Sequence, residues 1–279
     1  MMMNEKPLSG QSILVTRPEH KQVNLTKLLQ QQGAQVNSLA TLAIAPILQD
    51  HADYGRLKQH ILDLDIFDII ICVSANAARF AGELIDQYWP QLPVRIKWYA
   101  IGDASAAALA KFDIKAEVAK DQQNKGHDSE ALLAHPELQD VAAKKVLILK
   151  GTSGRELLSQ TLHQRKALIS EANLYNRLIP VYTDQQIKNT LYNSSLSAIL
   201  ITSGEALCNL MTIARGSVQQ FDHKSLLNTL LIVPSTRVAQ LASTQGYHRI
   251  KVATAADDNA MLAALLSVKG LEADNEKKN

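Results

Sequence analysis

Hydroxyl and cationic side chains recur in this chain directly after short apolar runs. Ser74 follows Phe67–Val73, and Gly102 and Ser105 follow Trp98–Ile101. Lys150 and Arg155 bracket Gly151–Gly154 after Val146–Leu149. Ser203 follows Leu196–Thr202, Ser235 and Thr236 follow Leu230–Val233, and Arg17 ends the run Ile13–Thr16. An apolar run that stops at a small residue is the signature of a buried strand passing into a helix. Such a turn leaves backbone N–H groups unpaired and carries the positive end of the helix dipole. Several of these turns on one sheet edge make a site for a polyanion, with the hydroxyls as further donors and Arg17, Lys150 and Arg155 as charge. A hydroxyl at such a turn also caps its own helix. Capping alone does not require hydroxyls at matching places in both halves of a chain.

Other chemistries lack their residues. There is no HExxH and no pair of His or Cys at metal-ligand spacing, so no metal is expected. Gly151-Thr152-Ser153-Gly154 is one residue short of a nucleophile elbow. Gly102-x-Ala104-x-x-Ala107 is a thin echo of a dinucleotide fingerprint. The turn after Ile13–Thr16 has no glycine, and no Walker loop is present, so no cofactor is expected. What is left is an anion site without an obvious nucleophile.

The elements that must position this site are repeated. Four stretches recur about 130 residues apart: Ile13 onward matches Val146 onward, Phe67 matches Leu196, Trp98 matches Thr229, and Asp128 matches Asp258. A period that long means two similar lobes, not a solenoid. The expected fold class is α/β, each lobe a parallel sheet flanked by helices. A cleft between lobes is the default place for a ligand. Val23, Leu25, Leu28 and Leu29 form the apolar face of the first helix, with Gly33 as its stop. Pro46 marks Leu42–Ile47 as an edge or linker.

Composition fits that plan. The 279 residues are 46% hydrophobic and 20% charged, enough for two cores in a water-soluble protein. A net charge of +2 gives no global field for nucleic acid or anionic membrane, and 5% aromatics give little for base stacking. The first ten residues have no apolar segment, so no signal peptide is read. Cys72 and Cys208 read as reduced, buried thiols, and a cytoplasmic location follows. The polar segment 271–279 is expected to lack fixed structure.

Several of these stretches, taken in order, resemble the uroporphyrinogen-III synthase family. They are Leu14-Val15-Thr16-Arg17-Pro18, Tyr99-Ala100-Ile101-Gly102, Leu149 to Leu157 (LKGTSGREL), Tyr175-Asn176-Arg177 and Thr202-Ser203-Gly204-Glu205. The series covers the chain from Ile13 to Leu266. Lys150 stands where the family usually has Arg, and Gly154 keeps one of two paired glycines. The turn Val233–Thr236 lacks the family's Gly, and Arg237 replaces a small residue.

The resemblance implies that the lobes exchange their first strand–helix–strand unit. Residues 1–41 would then join 178–270, residues 45–174 would form the other lobe, and 42–46 with 174–178 would be a two-stranded, mobile linker. It implies a monomer that closes hydroxymethylbilane, a linear tetrapyrrole with eight carboxylates, into uroporphyrinogen III. Water is lost and the last pyrrole ring is inverted through a spiro intermediate. Tyr175 is the implied acid. Arg17, Ser74, Gly102, Ser105, Lys150, Arg155, Ser203, Ser235 and Thr236 are the implied substrate contacts. The scheme leaves room for a transient contact with the upstream deaminase. The alternative is a two-lobed protein that binds a small anion without chemistry.

Overall fold

The computed structural model describes residues 6–118, 129–154, 156–192, 195–216 and 223–276. Its strands, in chain order, are β1 (Ser12–Val15), β2 (Gln35–Ser38), β3 (Ala43–Pro46), β4 (Ile69–Cys72), β5 (Lys97–Ala100) and β6 (Glu117–Val118). They continue with β7 (Lys145–Gly151), β8 (Leu168–Leu178), β9 (Leu196–Leu200), β10 (Leu230–Val233) and β11 (Ile250–Val252). The chain divides into two compact units, one of Met1–Ala43 with Leu178–Asn279 and one of Ile44–Arg177.

The discontinuous unit holds a sheet of order β11-β10-β9-β1-β2, paired in parallel throughout. The continuous unit holds a sheet of order β3-β8-β7-β4-β5-β6, and the pairs from β8 to β6 are parallel. Read from the opposite end, β6-β5-β4-β7-β8 matches β11-β10-β9-β1-β2 place for place. The repeated stretches at Phe67 and Leu196 therefore supply the central strands β4 and β9. Those at Ile13 and Val146 supply β1 and β7.

Burial explains why the central strands carry no polar alternation. All four residues of β4 are buried. Ile70 and Cys72 pack with Phe80 and Trp98 on one face. Ile69 and Ile71 pack with Tyr99, Leu132 and Leu162 on the other. The strand β10 splits likewise, Leu231 and Val233 to one cluster and Leu230 and Ile232 to another. Each such side chain contributes about 1.5–3 kcal/mol by leaving water. Pro46 lies in β3, at the sheet edge, where its missing N–H is tolerated.

Three local readings are corrected. Val23, assigned to the inner face of the first helix, is 70% exposed. A short 3-10 turn, Glu19–Lys21, precedes the helix Val23–Gln31; at about 3.6 residues per turn Val23 stands about 200° round that helix from Leu25, so Leu25 and Leu29 point inward and Val23 outward. Cys208, expected to be buried, is exposed on the helix Gly204–Gly216, while Cys72 is buried. The last helix runs Asp258–Glu276, so residues 271–276 continue it, contrary to the unstructured segment expected there. Residues 277–279 lie outside the described residues.

Candidate functional site

In the continuous unit, the carboxyl ends of β4, β5, β7 and β8 surround a cavity of about 250 Å³. Parallel pairing brings these ends to one edge, the edge where ligands of open α/β sheets bind. Ser74 reaches the cavity from β4, Ile101 from β5, and Lys150 and Gly151 from β7. Glu171, Tyr175 and Arg177 reach it from β8. Ser153 and Gly154 contribute from the turn ahead of the helix Leu157–Gln164.

The position of Tyr175 depends on a fault in the pairing of β7 with β8. The register steps from Lys150 opposite Asn173 to Gly151 opposite Tyr175, an irregularity of one residue. Regular pleating would put Tyr175 on the face opposite Leu174. Instead the two consecutive side chains join the same apolar cluster. Bulges of this kind re-aim side chains. The Tyr175 ring lies 6.0 Å from the Phe80 ring between centroids, and the residue is 5% exposed. Its hydroxyl is 3.1 Å from Ser74 Oγ.

Ser74 is the N-cap of the helix Ala75–Tyr88 and accepts the Ala77 N–H at 3.1 Å. Beneath it, Cys72 Sγ donates to the Ser74 carbonyl at 3.3 Å. Burial pushes the Cys72 thiol up to about 12, only partly offset by that bond, so it is no nucleophile near neutrality.

Two of the three expected cations, Lys150 and Arg17, are paired. Lys150 Nζ is 3.1 Å from Glu171 Oε2, its side chain 12% exposed. Arg17 is bound by Asp258 and by the Ala256 carbonyl at the start of the last helix. Arg155 lies outside the described residues. Ser105, expected to meet ligand, is buried at 5% exposure on the helix Asp103–Ala110 and does not line this cavity. Gly102 is the N-cap of that helix.

In the discontinuous unit, Ser203 Oγ accepts the Ala206 N–H at 3.0 Å and Ser235 Oγ accepts the Val238 N–H at 3.4 Å. Thr236 opens the helix Thr236–Thr244 and is exposed. These three stand at the carboxyl edge of their own sheet, in the places that Ser74 and Gly102 hold in the other. Among the described residues, no group of three or more His, Cys, Asp or Glu could hold a metal ion. None of the described helices is long and apolar enough to cross a membrane.

The family model described as "Uroporphyrinogen-III synthase HemD" matches residues 23–263. A uroporphyrinogen-III synthase of Salmonella typhimurium is 33% identical over 259 residues, covering 91% of this chain and 99% of the relative. The Escherichia coli one is 32% identical over 257 residues, again covering 91% and 99%. This chain belongs to the uroporphyrinogen-III synthase family. Among solved structures, the Helicobacter pylori uroporphyrinogen-III synthetase matches with a TM-score of 0.56 at 13% identity, covering 92% of this chain and 99% of that one. A mutant uroporphyrinogen III synthase of Thermus thermophilus matches with 0.55 at 14%, covering 96% and 99%. At such identities these two speak for the fold alone. None of these comparisons supports the small-anion binder without chemistry.

Two site features of this family member escape sequence reading. Glu171 carries no motif, and its place beside Lys150 follows only from the β7–β8 register. The steric role of Gly151 is equally hidden. A β-carbon there would meet Tyr175 Cε2 and Cζ at 2.7 Å. Gly151-Thr152-Ser153-Gly154 reads only as a turn, though a Gly that ends a strand is a known sign of close approach.

Proposed function

We propose that this chain closes hydroxymethylbilane into uroporphyrinogen III with loss of water and inversion of the last pyrrole ring. The observation that carries the reading, within this family, is the Tyr175 hydroxyl held 3.1 Å from Ser74 beside a cavity at the sheet's ligand edge. The chemistry asks for little more. The terminal pyrrole is electron-rich and expels its hydroxyl once that oxygen is protonated, and Tyr175 supplies the proton. The amide-rich turn Gly151–Gly154 meets substrate carboxylates and holds the bilane in the conformation that leads to the inverted ring. Hydroxyls at Ser203, Ser235 and Thr236 offer donors of the same kind at the other sheet's carboxyl edge.

A substrate that also closes unaided gives reason for a transient contact with the upstream deaminase, and a cytoplasmic location goes with the same reading. The test is to supply freshly made hydroxymethylbilane and to separate the two product isomers. The inverted isomer should dominate with the protein and the unrotated one without it. Equal isomer patterns in both would overturn the reading.

A further inference from the structure

Resting on that reading, we infer that Ser74 is a positioning residue that acts through Tyr175, holding its hydroxyl and stabilising the negative charge it acquires, and is not itself a substrate contact. A serine hydroxyl has one proton to give and two lone pairs. One lone pair takes the Ala77 N–H at 3.1 Å. Among the described residues, the acceptor within reach of its proton is Tyr175 Oη, also at 3.1 Å. With Ser74 donating, the phenol proton is left to point into the cavity that both residues line.

The charge that develops explains why this arrangement matters. The Tyr175 proton passes to the leaving hydroxyl, the C–O bond breaks with its electron pair on oxygen, and water departs. Tyr175 Oη is then a phenolate in a site where the residue is 5% exposed. Water cannot solvate it well, so an aimed donor is worth more than in bulk. Ser74 is that donor, and it sits at the positive end of the 14-residue helix Ala75–Tyr88. The proton released at the ring carbon when the last C–C bond closes restores the phenol, so nothing is consumed.

Three features keep the pair in register. The β8 irregularity turns Tyr175 toward Ser74. The bare backbone of Gly151 leaves room for its ring. Phe80, from the helix that Ser74 caps, backs the ring. A hydroxyl kept only as a cap would need none of them.

The test is a double-mutant cycle on turnover of fresh hydroxymethylbilane with wild type, Ser74→Ala, Tyr175→Phe and the double variant. Ser74→Ala should lower kcat about 10-fold or more with little change in KM, the size expected for a hydrogen bond to a charged group. Ser74→Thr should restore kcat to within about twofold, since it keeps both bonds. In the Tyr175→Phe background, Ser74→Ala should add no further loss. Should Ser74→Ala fail to fold, Ser74→Gly keeps most of the capping and removes the hydroxyl. Additive losses, a change confined to KM, or a wild-type kcat in Ser74→Ala would overturn the inference and leave the proposed reaction standing. A wild-type protein that does not turn over the bilane would overturn both.

Discussion

A β-carbon on Gly151 would lie 2.7 Å from both Cε2 and Cζ of Tyr175, far inside van der Waals contact. The last residue of β7 must therefore be glycine for the Tyr175 ring to occupy its place. Gly151→Ala should push the ring aside and break the bond to Ser74. A displacement of an ångström at a reacting group can reduce turnover about 100-fold. Turnover of Gly151→Ala should fall well below wild type while far-UV circular dichroism stays unchanged.

Gly82 makes a second close approach of a different kind. A β-carbon there would come within 2.2 Å of Phe112 Cδ2. Alanine would add up to about 1 kcal/mol of helix propensity but overpack the contact at a cost of about 1–3 kcal/mol. Gly82→Ala should therefore lower the urea midpoint, and a raised midpoint would show that Phe112 moves freely.

Arg17 and Asp258 should be coupled in stability rather than in catalysis. Their side chains are 14% and 15% exposed, and Asn24 shares the carboxylate. Removing Asp258 alone leaves the Arg17 guanidinium largely shielded from water and without its carboxylate. Urea unfolding of Asp258→Ala, Arg17→Ala and the double variant should give a coupling energy of about 0.5–3 kcal/mol.

Much of the fold is legible in the sequence because burial and capping are local. The unbroken apolar stretch at Ile69–Cys72 announces a strand covered on both faces, and the hydroxyls at Ser74, Ser203 and Ser235 all accept an N–H of the helix they precede. What stays hidden is non-local. Asp258 stands 241 residues from Arg17, so no reading of spacing pairs them. The register fault that turns Tyr175 has no residue signature in β8, and the burial of Ser105 depends on which side of its helix meets the sheet. Val23, by contrast, is excluded from the inner face by local geometry, since it stands about 200° round its helix from Leu25.

The two cysteines should separate in reactivity and in pH dependence. Cys208 is exposed and should react with a thiol reagent in the native protein, whereas Cys72 should react only on unfolding. Burial holds the Cys72 thiol at about 12 in the fold, against about 8.5 when unfolded. Above a pH of about 8.5 the unfolded state loses this proton first and is favoured, so stability falls as pH rises toward about 12. The slope from this thiol is at most about 1.4 kcal/mol per pH unit. Wild type should lose more stability than Cys72→Ala when the pH of urea melts is raised from about 8 to about 9.5.

Turnover of Tyr175→Phe on freshly made hydroxymethylbilane is the most direct measurement of whether this corner carries the reaction. The variant keeps the ring that packs on Phe80 and against Gly151 and loses only the hydroxyl. A fall in kcat of about 100-fold, within the range for a lost general acid, is expected together with an unchanged thermal midpoint. Wild-type kcat in a folded Tyr175→Phe would contradict the assignment and move the chemistry elsewhere in the molecule.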